Sequence, residues 1–226
     1  MGWAESHEFE MFLGVDTCGP VGSVALAALN GGDFAIKADR TIPGGELSVR
    51  LLEGISELLT ETNSGVADLG GIVAVAGPGS FTGIRVGLAA VKGLAEAANL
   101  PVVTLSRLAL LADFAKAPCA VLDAHRGQFY CGMYSEGEAR EMLLTAGEIN
   151  AMGGLKGKVA VCEETVAQLL EELYGEPELV RVQPPSAFDA LAFSARKWRS
   201  GDFADVAALD GYYLRGADAK IGARLG

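Results

Sequence analysis

Apolar residues recur along this chain with two different periods, and each change of period marks a new element. Residues 11–17 (MFLGVDT) form a short apolar run ending in Asp16 and Thr17, followed by the turn residues Gly19, Pro20 and Gly22. Residues 23–30 (SVALAALN) and 33–42 (DFAIKADRTI) are strand-like, and Gly31-Gly32 turns one back on the other. Three such runs joined by tight turns predict an antiparallel meander. At residue 46 the period lengthens. Leu47, Leu51, Ile55, Leu58 and Thr62 share one stripe, widened by Leu52 and Leu59, which predicts an amphipathic helix over 46–62 ended by Asn63-Ser64-Gly65.

Residues 71–76 (GIVAVA) are apolar without alternation, as expected of a strand covered on both faces. Gly77-Pro78-Gly79 then turns the chain into a helix capped by Ser80 or Thr82 and running to Ala98, with Asn99 as its left-handed end and Pro101 as its stop. From Gly83 to Ala98 the polar side chains are only Arg85, Lys92 and Glu96, on one face. Ile84, Leu88, Val91 and Ala95 form one apolar stripe. Gly83, Gly87, Ala90, Leu94 and Ala97 form a second, built mainly of small residues. Two readings of that second stripe stand side by side: full internal burial, or a surface that admits another helix closely.

Residues 101–105 (PVVTL) predict a strand, and Ser106 opens a helix with Leu108, Leu111 and Ala115 on one side. Residues 119–124 and 128–134 flank His125-Arg126-Gly127. This echoes the first hairpin: apolar run, Asp, a turn with Gly, strand. A strand at 158–162, a helix on Val166, Leu169, Leu170, Leu173 and Tyr174, a short strand at 179–182 and a helix over 185–199 complete the pattern. In the last helix Phe188, Leu191, Ala195 and Trp198 point inward; the tail 205–226, with GYYLRG, carries no clear period. Strand, strand, strand, helix, strand, helix, strand is the order of the ribonuclease-H-like or actin-like ATPase core, an α/β fold. The expected division is an N-terminal lobe over 11–105 and a second lobe over 106–226, whose tail is free to pack back on the first.

Composition narrows the chemistry. The chain has 226 residues, half of them apolar and 30 of them glycine, which is enough for real cores. A formal net charge of −11 argues against gripping nucleic acid alone. Cys18, Cys119, Cys131 and Cys162 are scattered and read as reduced thiols of a cytosolic protein. The only histidines are His7 and His125, so a histidine-based metal site is not expected. No long uncharged apolar run is present, and MGWAESHEFE lacks a secretory pattern, so residues 1–10 read as a frayed extension of a cytoplasmic protein.

The turn Gly77 to Gly83 follows a strand and opens a helix, a context suited to anions. It is not a P-loop, because Ile84-Arg85 stands where Lys-Ser or Lys-Thr belongs, and its glycine spacing is not G-x-G-x-x-G. Close packing of a tight turn and phosphate contact through Gly79, Ser80 and Thr82 both remain open. Asp16 with Thr17, and Asp123 in the second hairpin, either hold Mg²⁺ through water or cap their own turns. No general base and no Ser/His/Asp set accompanies them, so no catalytic residue and no metal ligand is assigned.

GPGSFTGIRVGLAAVKGLA at 77–95 resembles the signature of the bacterial TsaB (YeaZ-type, glycoprotease-like) family. FLGVDT near the start, VLDAHRGQFY at 121–130 and YLR at 213–215 fall in the order that resemblance requires. The resemblance implies a two-lobed actin-like ATPase fold with a reduced second lobe, and a role in making threonylcarbamoyladenosine at the tRNA adenosine 3′ of the anticodon. It implies a non-catalytic subunit that binds and activates TsaD, which carries the metal-binding histidines. TsaE, an ATPase, joins the assembly, and tRNA is met only through the complex. It also implies a homodimer through the N-lobe helices when TsaD is absent. The implied interface uses Gly83, Gly87, Ala90, Leu94, Arg85 and Leu52. Nucleotide contact would fall on Asp16, Thr17, Gly79, Ser80 and Thr82, with no intrinsic cofactor and ATP or ADP bound only in the complex. The first helix opens GGELSVRLL, without the histidine found near its start in relatives. The alternatives are an independent actin-like ATPase or sugar kinase using Asp16 and Asp123, and the metallopeptidase suggested by the glycoprotease label.

Overall fold

A computed structural model describes residues 10–30, 33–135, 138–175 and 177–214. Strands β1 (Met11–Asp16), β2 (Val21–Asn30) and β3 (Asp33–Pro43) form the expected antiparallel meander. Helix α1 (Leu47–Glu61) leads to β4 (Leu69–Gly77), which pairs parallel to β1. Helix α2 (Phe81–Ala98), β5 (Val102–Ser106) and α3 (Arg107–Ala115) follow, and the sheet runs β3-β2-β1-β4-β5.

The same succession then recurs. Strands β6 (Cys119–Asp123), β7 (Gln128–Ser135) and β8 (Glu138–Thr145) form a second meander. Helix α4 (Ala146–Ala151), β9 (Val159–Val161) parallel to β6, α5 (Glu164–Tyr174), β10 (Leu179–Arg181) and α6 (Ala187–Ser200) complete it. Its order, read from the other edge, is β8-β7-β6-β9-β10, the order of the first sheet. The echo between the two hairpins therefore extends to both halves. The second half is the reduced one: β9 and β10 have three residues each, where β4 has nine. Strand β8 and helix α4 are absent from the sequence-based expectation. EAREMLLT mixes charges into its alternation, and six residues are too few to show a helical period.

The chain divides into two compact units: residues up to 105 with 186–211, and residues 106–185 with those from 212. The expected division at 105 placed the helix over 185–199 in the second lobe. Instead, α6 packs on β1, β2, β3 and β4, and α3 packs on β6, β7 and β9, so each half lends its last helix to the other half's sheet. The first sheet is cut to receive α6. A Cβ on Gly14 would stand 2.5 Å from the Ala187 carbonyl oxygen, and one on Gly71 would overlap the Trp198 ring. Trp198 meets Phe12 edge-on with centroids 4.9 Å apart, and Ala187 N donates to Ser23 Oγ at 2.9 Å. Helices α1 and α2 cover the opposite face, which is why β1 and β4 are buried along nearly their whole length.

Beyond α6 the chain pairs Ala204 N with Val102 O at 2.8 Å, then reaches the second unit, where Leu214 packs among Leu108, Leu111 and Leu122. The turn Gly31-Gly32, the extension over 1–9, and residues 215–226 with Arg215 of YLR lie outside the described residues. Among the described residues no helix is long and apolar enough to cross a membrane.

Candidate functional site

The junction of β4 and α2 is built by glycine. Gly77 and Gly79 take positive φ values of 125° and 158°, and a Cβ on Gly79 would overlap the carbonyl oxygen of Cys18. Ser80 N donates to that same oxygen at 2.8 Å, so the turn is pinned to the segment that follows β1. Of the two candidate caps, Ser80 is the one used: its Oγ accepts from Gly83 N at 3.2 Å. Asn99 closes the far end in the left-handed conformation, φ 53°.

Thr17 fills the first turns of α2. A Cβ on Gly83 would overlap the Thr17 carbonyl oxygen, and one on Gly87 would overlap Thr17 Oγ1. Both glycines are buried against their own chain. Sequence reasoning offered them as room for a partner helix; the space they leave is taken by Thr17, because β1 ends directly beneath the helix. Ala90 and Leu94 are half-buried, and Arg85 is exposed.

Asp16 is buried, and its Oδ1 accepts from Cys18 N at 2.8 Å. Thr17 is buried as well, Gly79 is half-buried, and Ser80 and Thr82 are exposed. In the second unit, Asp123 Oδ1 accepts from His125 N at 2.7 Å, and Oδ2 lies 3.0 Å from His125 Nδ1. Its backbone N donates to Glu163 Oε2 at 2.9 Å. Each aspartate thus closes its own turn, as Asp commonly does. Among the described residues no three His, Cys, Asp or Glu side chains converge as a metal site requires.

The most exposed large apolar side chains include three on α1 and at the start of α2, helices that pack side by side. Leu52 is 58% exposed, Val49 79% and Phe81 55%. The Arg85 guanidinium lies 3.8 Å from the Phe81 ring centroid, a cation–π contact that braces the ring at the surface. Arg50, one turn along from the α1 start, pairs with Glu46 at 3.4 Å and Glu53 at 3.3 Å, forming a charged border. The hydrogen bonds that Arg50 donates to Glu53 and Glu46 hold its pKa above the usual value. On the flank facing β3, Arg40 pairs with Glu57 at 3.8 Å and with Glu61. Val49 and Phe81 are the residues that sequence reasoning missed. The available signal was their position: Val49 lies off the buried stripe of Leu47, Leu51, Ile55 and Leu58, and Phe81 occupies the first helical position of α2.

The family model described as TsaD, tRNA N6-adenosine threonylcarbamoyltransferase, matches residues 44–150. A tRNA threonylcarbamoyladenosine biosynthesis protein TsaB from Escherichia coli is 29% identical over 221 residues, spanning 90% of this chain and 94% of that protein. TsaB from Bacillus subtilis is 37% identical over 91 residues, 38% of this chain and 40% of that one. The solved structure of YeaZ from Pseudomonas aeruginosa superposes with a TM-score of 0.71 at 28% identity, covering 91% of this chain and all of that one. Over nine-tenths of its length the chain is thus similar to TsaB/YeaZ proteins. Its two mixed sheets are those of the actin-like, ribonuclease-H-like fold. The exposed side chains of α1 and α2 are therefore borne by the first lobe of that fold, on helices that cover the sheet face opposite α6.

Proposed function

We propose that the chain acts in forming threonylcarbamoyladenosine on tRNA, as a non-catalytic subunit that docks and activates a TsaD-type transferase. The observation that carries this reading is the exposure of Val49, Leu52 and Phe81 on two helices that pack side by side, with Arg50 paired to Glu53 and Arg85 over the Phe81 ring. Exposed apolar side chains rimmed by charge are what a protein interface presents before assembly. The names of the relatives and the matching family model support the pathway. Leu52, Arg85, Ala90 and Leu94 belong to the docking face; Gly83 and Gly87 support it from beneath by seating α2 on Thr17. In the same reading a second copy occupies this face when the transferase is absent, TsaE joins the assembled complex in the cytoplasm, and tRNA and any ATP or ADP are bound through the complex.

The test is co-purification with the TsaD-type transferase and a threonylcarbamoylation assay, using Val49→Asp with Leu52→Glu. Both side chains are exposed, so the thermal midpoint is expected to hold, while association is lost and modification falls to the level seen without this chain. Normal assembly and full activity of the variant overturn the proposed face. ATP turnover by the chain alone, lost in Asp16→Ala, supports the independent ATPase instead.

A further inference from the structure

Strand β8 carries one acid into the interior of the second unit. Glu141 is only 9% exposed, while Arg140 beside it faces solvent. The register of β7 and β8 sets Glu141 opposite Gly132. Gly132 has no side chain, and Tyr134, two residues on and on the same face, lies back over the gap: a Cβ at 132 would stand 2.5 Å from its hydroxyl. That notch lets Tyr134 Oη donate to Glu141 Oε1 at 2.6 Å. Glu141 Oε2 is buried and has no hydrogen-bond partner. The hydroxyls of Ser106 and Tyr212 also face this carboxyl. They mark the two points at which the chain enters the second unit: Ser106 caps α3, and Tyr212 begins the return that seats Leu214.

A buried carboxylate with an unpaired oxygen is costly, and such a group avoids the cost by keeping its proton. Burial holds Glu141 above the usual carboxylate range, while the hydroxyls of Ser106, Tyr134 and Tyr212 pull the other way. Among the described residues, Tyr134 and Tyr212 are the titratable groups facing it. Both phenols are pushed upward by burial and by Glu141, so they stay protonated while Glu141 titrates. We propose that Glu141 is carried as a neutral carboxylic acid and works as a latch, closing Tyr212 and the first turn of α3 onto β7 and β8, and that its ionisation opens the latch. The proton on the carboxyl supplies a donor to a neighbouring hydroxyl oxygen. The ionised group needs water, which enters only when Tyr212 or the start of α3 moves aside. Because the folded pKa is raised, the stabilisation is complete below the unfolded value of about 4.3 and is lost as pH rises through the folded value.

Hydrogen exchange on the full chain, corrected for intrinsic pH dependence, tests this between about pH 5.5 and about pH 8.5. Protection of residues 107–113 and 212–214 is expected to fall by up to about tenfold per pH unit as pH rises from the unfolded toward the folded pKa of Glu141 in the wild type, and to level off above it. Glu141→Gln keeps the neutral shape and is expected to stay protected at the upper pH. Tyr134→Phe removes a hydroxyl that favours ionisation, so its midpoint is expected to move upward. A flat wild-type profile, or a Glu141→Gln profile that follows the wild type, overturns the latch. If Glu141→Gln does not fold, a Tyr134→Phe midpoint that stays in place or moves downward overturns it equally.

Discussion

Alanine at three positions of α2 separates the inward from the outward account of its glycines. At Gly93 an added Cβ meets nothing within 4 Å. Gly93→Ala therefore collects only the helix-propensity gain, a stabilisation of about 0.5–1 kcal/mol. At Gly87 the same methyl overlaps Thr17 Oγ1, and Thr17 Cβ and Cγ2 would each lie 3.2 Å away. The same gain now stands against about 1–3 kcal/mol for overpacking, which leaves Gly87→Ala destabilised by roughly 0–2.5 kcal/mol. At Gly83 the obstacle is the Thr17 carbonyl oxygen, which is backbone and cannot rotate aside, so Gly83→Ala falls at the upper end of that range or beyond. The expected order of stability is Gly93→Ala, wild type, Gly87→Ala, Gly83→Ala. Thermal unfolding followed by circular dichroism reads it, since about 1 kcal/mol moves the midpoint by about 2–4 °C in a chain of this size. Repeating the series in Thr17→Ala isolates the contact. Removing Oγ1 and Cγ2 relieves Gly87→Ala by about 1 kcal/mol or more and leaves the backbone-blocked Gly83→Ala unchanged. If Gly87→Ala stabilises as much as Gly93→Ala, or ignores the Thr17 background, the glycine faces outward and the packing argument fails.

Three further outcomes follow from the same geometry. A fragment ending at residue 105 lacks α6 and leaves the Phe12, Phe34 and Gly71 face of the first sheet open; it is expected to lack a cooperative melt, which fusing residues 186–211 restores. The Thr145–Glu148 capping box holds the Glu148 pKa below its usual value through the Thr145 backbone N–H and hydroxyl. Its contribution is therefore present above the unfolded pKa and lost as pH falls through the folded one, so exchange at the α4 start should rise on acidification in the wild type and lose that dependence in Glu148→Gln. Burial pushes the Cys131 thiol up to about 12 and raises Cys119, while Cys162 is half-buried. Alkylation of the native protein near pH 8, mapped by peptide mass, should mark Cys162 first and leave Cys131 intact.

The elements with a strong local period were legible in the chain. Leu47, Leu51, Ile55 and Leu58 mark α1 because a helix repeats its buried face every three to four residues. The unbroken GIVAVA marks β4 because a strand covered on both faces has no polar side to alternate with. Ser80 and Asn99 bracket α2 because helix ends need a side-chain acceptor and a left-handed residue, both local requirements. Strand β8 and helix α4 escaped because their charges and brevity blur any period.

Other features depended on contacts between residues far apart in sequence, which no local window holds. That α6 belongs to the first sheet is decided by Gly14 and Gly71, more than a hundred residues before the Ala187 carbonyl and Trp198 ring they admit. The direction in which α2 faces was equally hidden. Its second stripe suits either a partner or the chain itself, and only the position of Thr17 shows that the space at Gly83 and Gly87 is filled by the chain itself. Periodicity and capping are properties of neighbours along the chain, so the sequence alone determined which segments are helices and strands and where they stop. Which face of each element meets protein and which meets water is a property of neighbours in space, and the tertiary structure alone decided that.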